Sequence, residues 1–169
     1  MKIYYREKSG GIEILRCFGI ESRVEIPGMI DDKLVISAAP YAFSSHMDEK
    51  EELKNASLWE VSEGLGFGRE EHVLAGNDVE EIVFPYTLKE IGRYIFYGCG
   101  NLKKLEFSDS LMQIGCGAFT GCHVLEKLTV HMRQGKKSGV KEMLGEMWQR
   151  IDVNFLYEYE ERCFQRNLL

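Results

Sequence analysis

Residues Ile91–Phe107 read IGRYIFYGCGNLKKLEF, and residues Ile114–Val130 read IGCGAFTGCHVLEKLTV. The two stretches start 23 residues apart and are identical at 8 of their 17 positions. The identical pairs are Ile91/Ile114, Gly92/Gly115, Phe96/Phe119, Gly98/Gly121, Cys99/Cys122, Leu102/Leu125, Lys104/Lys127 and Leu105/Leu128. Self-similarity at a fixed period predicts a stacked repeat fold, in which each unit buries its apolar side only against its neighbours.

Each unit combines a strand with a return turn. In LKKLEF (102–107) the apolar residues alternate around Leu105 and Phe107, which is the pattern of a short strand with one buried face. Strands that recur at a constant spacing are expected to stack in parallel, about 4.8 Å apart. The return segment IGxxxFxGC carries glycines that allow tight turns, and its Phe is expected to fill the core.

A degenerate copy of the unit lies near the N-terminus. RVEIP (23–27) matches EIVFP (81–85), and YAF (41–43) matches YIF (94–96). A long insertion follows the early copy, and the pattern resumes near Val79. We therefore expect a first rung that is separated from the regular ones by the insertion.

The repeat pattern L-x-x-I-G-x-x-x-F-x-G-C-x-x-L-x-x-L resembles the BspA-like leucine-rich repeats that are abundant in gut Firmicutes and Bacteroidetes. Residues 11–43 are similar to the opening cap of such proteins, although Ala38-Ala39 stands where Ile-Gly is usual. The resemblance covers residues 11–43 and 79–130. It implies an α/β fold, a short leucine-rich-repeat solenoid with parallel strands. For function it implies adhesion, partner binding or scaffolding, because one repeat fold serves all three.

The sequence divides into five segments within a single leucine-rich-repeat domain. Two β-prone runs flank Lys8–Gly11, which predicts a hairpin. The insertion is expected to be helical, since Ser45…Asp48 and Ser57…Glu60 have capping-box spacing. The predicted segments are an N-terminal hairpin cap (1–22), a degenerate repeat (23–43), an acidic helical insertion (44–78), two regular 23-residue repeats (79–130) and a C-terminal cap (131–169).

The C-terminal segment predicts a cap of helix, strand and helix. Val140–Ile151 places apolar residues at i, i+3, i+4, i+7, i+8 and i+11, which is one helix face, with Ser138 as a candidate N-cap. DVNFLY (152–157) reads as a strand, and residues 158–169 read as a final helix. A cap of this kind closes the open end of a solenoid.

The charge balance excludes some partners. The formal net charge is -6, and residues 44–81 alone carry 11 acids and 3 bases, a balance of -8. This acidic stretch is either a solvated surface or a contact for a basic protein. No basic stripe for phosphates is present, so we expect no nucleic-acid partner. The sequence shows neither a signal-peptide pattern nor about 18 consecutive apolar residues, which predicts a cytoplasmic chain without a membrane span, or a cell-surface protein if a leader has been removed.

The cysteines favour packing over chemistry. Cys99 and Cys122 recur at one position of the repeat, and a free thiol behaves as a small apolar group. The C-x5-C-H spacing of Cys116, Cys122 and His123 matches no common structural zinc site. The Gly-rich stretch 64–68 does not fit a dinucleotide-binding fingerprint. We therefore predict no metal, no cofactor and no enzyme, with a cysteine-dependent enzyme as a remote alternative.

The exposed side of the parallel strands is the predicted binding surface. Its side chains form two columns that cross the rungs. The first column is Arg23, Glu81, Lys104 and Lys127, and the second is Glu25, Val83, Glu106 and Thr129. These charges are either cross-strand pairs that stabilise the sheet or part of a concave recognition face.

Two interpretations of function follow. The first is a non-catalytic interaction module whose exposed sheet face binds an unidentified protein. The second is a structural or accessory domain, a part or remnant of a larger cell-surface leucine-rich-repeat protein, with no ligand of its own. In either case we expect a monomer or a weak homodimer, because so few rungs leave the strand edges dependent on the caps.

Overall fold

Short strands separated by turns dominate residues 1–60, 71–133 and 139–158, which are the residues that the structure, a computed structural model, describes. In chain order the elements are β1 (Lys2–Lys8), β2 (Gly11–Gly19), β3 (Arg23–Glu25), β4 (Met29–Ile30), β5 (Lys33–Ala38), α1 (Glu49–Glu52), β6 (Ser57–Glu60), β7 (His72–Val73), β8 (Glu81–Val83), β9 (Glu90–Ile91), β10 (Lys104–Ser108), β11 (Gln113–Ile114), β12 (Lys127–Arg133), α2 (Val140–Leu144) and β13 (Asp152–Glu158). Single 3₁₀ turns lie at Gly76–Asp78 and Gly145–Gln149.

The strands form two sheets around one apolar core. The first, which we call the ladder sheet, has five parallel strands in the order β3, β8, β10, β12 and β13. The second sheet has the order β11, β9, β5, β2, β1 and β6, with β4 beside β5 and β7 beside β2. The three repeats each give one strand to the ladder sheet (β3, β8, β10) and one to the second sheet (β5, β9, β11). This is the short leucine-rich-repeat solenoid that the 23-residue period predicts.

Inward-facing side chains of the ladder sheet fill the core in two rows. The rows are Val24, Ile82, Leu105 and Leu128, and then Ile26, Phe84, Phe107 and Val130, all of them buried. The turns add a column of stacked rings, in which the centroids of Phe43 and Phe96 are 6.0 Å apart and those of Phe96 and Phe119 are 5.7 Å apart. Burying one such side chain contributes about 1.5–3 kcal/mol, so the recurrent Phe is a principal source of stability.

Backbone hydrogen bonds join each return turn to the next one along the chain, in an array that we call the turn ladder. Between the last two turns the bonds are Tyr94 N to Cys116 O (3.1 Å), Phe96 N to Ala118 O (3.1 Å) and Gly98 N to Thr120 O (3.0 Å). Between the first two turns they are Tyr41 N to Arg93 O (3.3 Å) and Phe43 N to Ile95 O (3.0 Å). In these five bonds the earlier turn supplies the N–H group, whereas the opening glycines donate backwards, Gly92 N to Ala38 O and Gly115 N to Ile91 O.

A glycine opens each regular turn because the preceding turn lies directly against it. A Cβ at Gly115 would lie 2.2 Å from the backbone nitrogen of Arg93. A Cβ at Gly92 would lie 2.4 Å from the backbone nitrogen of Pro40. Both obstacles are backbone atoms, which cannot move aside without breaking the turn ladder. The glycine of the Ile-Gly pair therefore recurs because any side chain at its position would overlap the backbone of the preceding turn.

Arg16 closes the first end of the turn ladder from within the core. Its side chain is 2% exposed, and Nη1 donates to the carbonyls of Tyr41, Ala42 and Ser44 at 3.1, 3.1 and 2.5 Å. Nη2 lies 3.1 Å from Oε1 of Glu49, which reaches the guanidinium from the solvent side. Burial lowers the pKa of Arg16, and the bond to Glu49 opposes that shift. The guanidinium thus satisfies carbonyl groups at the start of the stack.

The N-terminal hairpin is confirmed, with β1 and β2 antiparallel. It extends the second sheet, because β2 pairs in parallel with β5 of the first repeat. Ala38, in place of the usual Ile, still aligns with Ile91 of the next repeat.

The predicted helical insertion is wrong for most of its described part. Helix α1 has only four residues, and its N-cap is Asp48, whose carboxylate accepts a hydrogen bond from the N–H of Lys50, rather than Ser45. Ser57–Glu60 forms strand β6, antiparallel to β1. The outer edge of β1 offers unpaired backbone groups, and pairing with them outweighs the local capping-box pattern. Residues 61–70 lie outside the described residues.

The predicted C-terminal helix is shorter than its apolar periodicity indicates. Helix α2 ends at Leu144, and a 3₁₀ turn continues to Gln149. Gly145 is the first residue of this turn, and its φ of 55° and ψ of −126° form a conformation that glycine adopts easily and that an α-helix does not contain. The candidate N-cap Ser138 lies outside the described residues.

The predicted C-terminal strand is confirmed, but it is a rung and not part of a separate cap. Strand β13 pairs in parallel with β12 along its whole length, from Asp152 beside Lys127 to Glu158 beside Arg133. It starts 25 residues after Lys127, so it falls out of the 23-residue period. Residues 159–169 of the predicted final helix lie outside the described residues.

Gly115→Ala is expected to destabilise the fold by about 1–3 kcal/mol, because the new methyl group overlaps the Arg93 backbone. The matched control is Gly139→Ala, where an added Cβ meets nothing within 4 Å and a change under about 1 kcal/mol is expected. Urea unfolding followed by circular dichroism measures both. Equal effects of the two substitutions would contradict the steric account.

Arg16→Met is expected to lower the free energy of unfolding by about 3–5 kcal/mol, because three carbonyl groups lose their buried donor. Glu49→Gln, which keeps the guanidinium in place, is expected to change it by less than about 1 kcal/mol. Unfolding in urea again measures the difference. A Met variant as stable as the wild type would show that the carbonyl contacts are dispensable.

Candidate functional site

The ladder sheet places all eight predicted site residues in the two expected columns. The first column runs Arg23, Glu81, Lys104, Lys127 and Asp152, and the second runs Glu25, Val83, Glu106, Thr129 and Asn154. Asp152 and Asn154 were missed because the sequence reading assigned their strand to a cap. Thr129 is only 6% exposed, since its short side chain lies between the longer Glu106 and Asn154. The other seven residues are partly or fully exposed.

Ion pairs occupy the N-terminal part of this surface. Arg23 contacts Glu25 on its own strand at 2.8 Å and Glu81 on the next strand at 3.2 Å. Lys103 and Glu80 form a further pair at 3.1 Å between neighbouring rungs. Pairs of this kind contribute about 0.2–1 kcal/mol each, so these charges act at least in part within the sheet.

Lys104 and Lys127 form a different kind of pair in the centre of the surface. They lie directly beside each other on β10 and β12, and both are exposed. Neither side chain has an ion pair within 4 Å among residues 1–60, 71–133 and 139–158. Like charges directly opposite each other on a sheet are unfavourable. Glu81 and Asp152 are the next residues of the column on either side of this pair.

A hydrogen-bonded group that the sequence reading missed lies beside the second column. His131 Nε2 is 3.0 Å from Oε2 of Glu106, and His131 Nδ1 is 3.3 Å from the hydroxyl of Tyr86. The rings of Tyr86 and His131 also pack, with centroids 5.2 Å apart. The bond from His131 holds the pKa of Glu106 below its ordinary value, against the opposing effect of burial.

The C-terminal edge of the same surface carries an ion pair and an apolar residue. The Asp109 carboxylate, which is almost fully buried, accepts hydrogen bonds from the backbone N–H of Arg133 (3.1 Å) and from its Nε (3.3 Å). Leu156 stands beside His131 on β13 and is 41% exposed. These residues could have been assigned to the exposed face from the sequence, because side chains alternate along a strand and His131 and Arg133 therefore lie on the same side of β12 as Lys127.

The repeated cysteines are core residues that bond to the preceding turn. Cys99 Sγ donates to the carbonyl of Phe43 (3.2 Å), and Cys122 Sγ donates to the carbonyl of Phe96 (3.3 Å). Burial raises the pKa of each thiol to about 12, and it does the same for Cys17. A thiol with such a pKa stays protonated at neutral pH, so these three are poor nucleophiles.

The other residues considered for chemistry are dispersed. Cys116 is exposed on the surface and Cys122 is buried. In the described residues, no three side chains of His, Cys, Asp or Glu lie close enough together to hold a metal ion. Over the same residues, no helix has the length and apolar character that a membrane crossing requires. Cys163 and the Gly-rich stretch 64–68 lie outside the described residues.

The two stacked sheets, the turn ladder and the exposed columns define a leucine-rich-repeat solenoid. The family model described as a BspA type leucine-rich repeat region (6 copies) matches residues 70–167. This match spans more than half of the chain, so the protein belongs to the BspA-type leucine-rich repeat family. The family assignment indicates a protein-interaction or structural role.

Two further comparisons were with solved structures and with curated proteins. A crystal structure of a leucine-rich repeat protein of T. pallidum matches with a TM-score of 0.43 and 16% sequence identity, over 92% of this chain and 80% of that one. No curated protein matches the sequence.

Glu106→Gln is expected to weaken the acid dependence of stability. A carboxylate whose pKa is lowered in the folded state contributes stability above its ordinary pKa of 4.5, and loses it as the pH falls through the folded value. The difference in unfolding free energy between pH 7 and pH 3.5 should therefore be smaller in the variant than in the wild type. Urea titrations at the two pH values measure it.

The control for this experiment is Glu126→Gln. Glu126 is an exposed acid just before β12, and it has no ion pair among the described residues. Its variant should keep the acid dependence of the wild type. If Glu106→Gln also keeps it, the contact with His131 does not stabilise the folded carboxylate.

Proposed function

We propose that the chain is a non-catalytic protein–protein interaction module, and that it binds its partner through the exposed face of the ladder sheet. The observation that carries the proposal is the register of β3, β8, β10, β12 and β13, which sets the predicted columns side by side as one surface. Repeat solenoids commonly bind through such extended faces. The buried, protonated thiols also favour binding over cysteine catalysis.

The centre of the face favours a partner that presents an acidic side chain. Lys104 and Lys127 stand together with no ion pair within 4 Å in the described part of the chain, and a carboxylate between them would interact with both ammonium groups. Tyr86 and Leu156 lie beside His131, toward the C-terminal end of the same face, and tyrosine is a residue type enriched in binding hot spots. The proposal applies equally to a cytoplasmic chain and to one displayed at the cell surface.

A structural or accessory role is the second candidate. The pairs of Arg23 with Glu25 and Glu81, and of Lys103 with Glu80, favour it, because they use charges of the face within the sheet itself. The two candidates differ in what they require of Lys104 and Lys127. A structural domain does not require a partner to sense these two charges, whereas the proposed binding face does.

The double substitution Lys104→Glu/Lys127→Glu is expected to reduce partner recovery at least about tenfold, since each reversed charge repels an acidic partner. The measurement is quantitative mass spectrometry of proteins that the immobilised chain captures from the source cells. Capture is compared with that of the wild type at equal loading.

The matched control is Lys50→Glu/Lys54→Glu. Both residues are exposed lysines away from the ladder sheet, and the change in net charge is the same. The control should keep the partners of the wild type, and both variants should unfold within a few degrees of it. If the face variant keeps every partner, the ladder sheet is not the binding surface.

A further inference from the structure

The two ends of the turn ladder are treated differently by this chain. At the first end, Arg16 donates to the carbonyls of Ala42 and Ser44, which are the positions equivalent to Ala118 and Thr120 in the last turn. The first turn therefore has a donor before it. The last turn would need an acceptor after it, because the N–H groups of residues 41, 43, 94, 96 and 98 all donate to the turn that follows their own.

Three N–H groups of the last turn have no acceptor among residues 1–60, 71–133 and 139–158. Tyr94, Phe96 and Gly98 each donate to the following turn, and the equivalent residues of the last turn are Gly117, Phe119 and Gly121. Within the described ranges, the backbone N–H groups of these three residues donate to no atom of the chain. They are alternate residues, so their donors form a row that matches alternate carbonyl groups of another backbone.

A cavity lies where the next turn would stack. It has a volume of about 560 Å³ and lies between residues 114–123 and the segment of α2 with the 3₁₀ turn that follows it. Met143, Met147 and Ile151 form its apolar wall opposite the last turn. Phe119 is only partly buried in it, whereas Phe43 and Phe96 are fully buried under the turns that follow them. In the part of the chain that the structure describes, Phe119 thus lacks a following turn like those that cover Phe43 and Phe96.

The geometry identifies the chemistry of the occupant. Inside the chain, a row of three such N–H groups is met by the carbonyls of residues 116, 118 and 120, with Phe119 stacking on Phe96. The occupant must therefore be a polypeptide with carbonyl groups at alternate residues and an aromatic side chain among them. A single anion would satisfy one donor of the row and leave Phe119 uncovered.

A second copy of the chain does not meet this requirement by stacking head to tail. The carbonyls that it would present are those of its own first turn, and the buried guanidinium of Arg16 lies against those of Ala42 and Ser44, at 3.1 and 2.5 Å, where an incoming backbone would have to stack. Arg16 is buried and bonded to Glu49, so it does not swing away without cost to the fold.

We propose that the groove between the last turn and α2 is a second binding site, which takes a turn-forming peptide segment of another protein with an aromatic residue at its centre. The peptide carbonyls accept hydrogen bonds from Gly117, Phe119 and Gly121, and the aromatic ring stacks on Phe119. This site adds one backbone to the existing turn ladder, as β-augmentation adds a strand to a sheet edge. It does not depend on the ladder sheet face.

The probe is a synthetic peptide that copies residues 112–123, with Cys116→Ser and Cys122→Ser to prevent oxidation. In the intact chain this segment already performs the same role toward the preceding turn. Amide hydrogen exchange of the whole protein is followed by NMR with and without the peptide. In the free protein, the amides of Gly117, Phe119 and Gly121 should exchange at least about tenfold faster than those of Tyr94 and Phe96, because unbonded amides are less protected.

Saturating peptide should slow the exchange of the three amides at least about tenfold and leave Tyr94 and Phe96 unchanged. A control peptide with Phe119→Asp should have no effect. In the protein, Met147→Asp should weaken peptide binding at least about tenfold, whereas Met112→Asp should not, because Met112 is 75% exposed and does not line the groove.

Three results would overturn the proposal. The first is strong protection of the three amides in the free protein, which would mean that they already have acceptors. The second is no change in their exchange up to millimolar peptide. The third is protection that appears without peptide as the protein concentration rises, because the occupant would then be a second copy of the chain.

Discussion

The close contact between the backbones of successive turns is the constraint on which the rest of the solenoid depends. Hydrogen bonds of about 3 Å join each turn to the next, and this distance leaves no room for a Cβ at Gly115. The same close approach brings the Cys99 thiol to the carbonyl of Phe43 and stacks the ring of Phe96 on the ring of Phe43. Glycine, cysteine and phenylalanine therefore recur together because they fit one narrow gap, and the catalytic possibilities of the thiol are lost to burial.

The repeated strands could be predicted from the sequence because each copy of the unit shows the same pattern of apolar residues at the same spacing. Apolar alternation predicts the strands, and the 23-residue spacing predicts Lys104 beside Lys127, as the structure has them. Segments without a second copy had only local signals to guide a prediction. Ser57–Glu60 carries a helix-start pattern, yet its partner is β1, more than fifty residues earlier in the chain. Strand β13 follows after 25 residues, and the altered spacing concealed that it was a rung.

In the candidate site, too, the features that follow the repeat could be predicted and those outside it could not. The two columns follow from the period, since residues one repeat apart must become neighbours on parallel strands. The contacts of Glu106 with His131, and of His131 with Tyr86, join residues that are 25 and 45 positions apart, and neither separation is a multiple of the period. Such contacts depend on side-chain length and on the exact twist of the strands, which no local pattern encodes. The N–H groups of the last turn that have no acceptor in the described part of the chain were equally hidden, because their importance lies in a comparison with the turns before them.

The position of Arg16 has a consequence for how this molecule changes length over evolutionary time. The closing contact is made once, by a residue of the hairpin that is not part of the repeated unit. Duplication or loss of a regular repeat leaves that contact untouched. The fold therefore fixes where the stack begins but not how many repeats it contains. Chains that share this hairpin are then free to diverge in rung number, and the columns on their exposed face lengthen or shorten in single steps of one repeat.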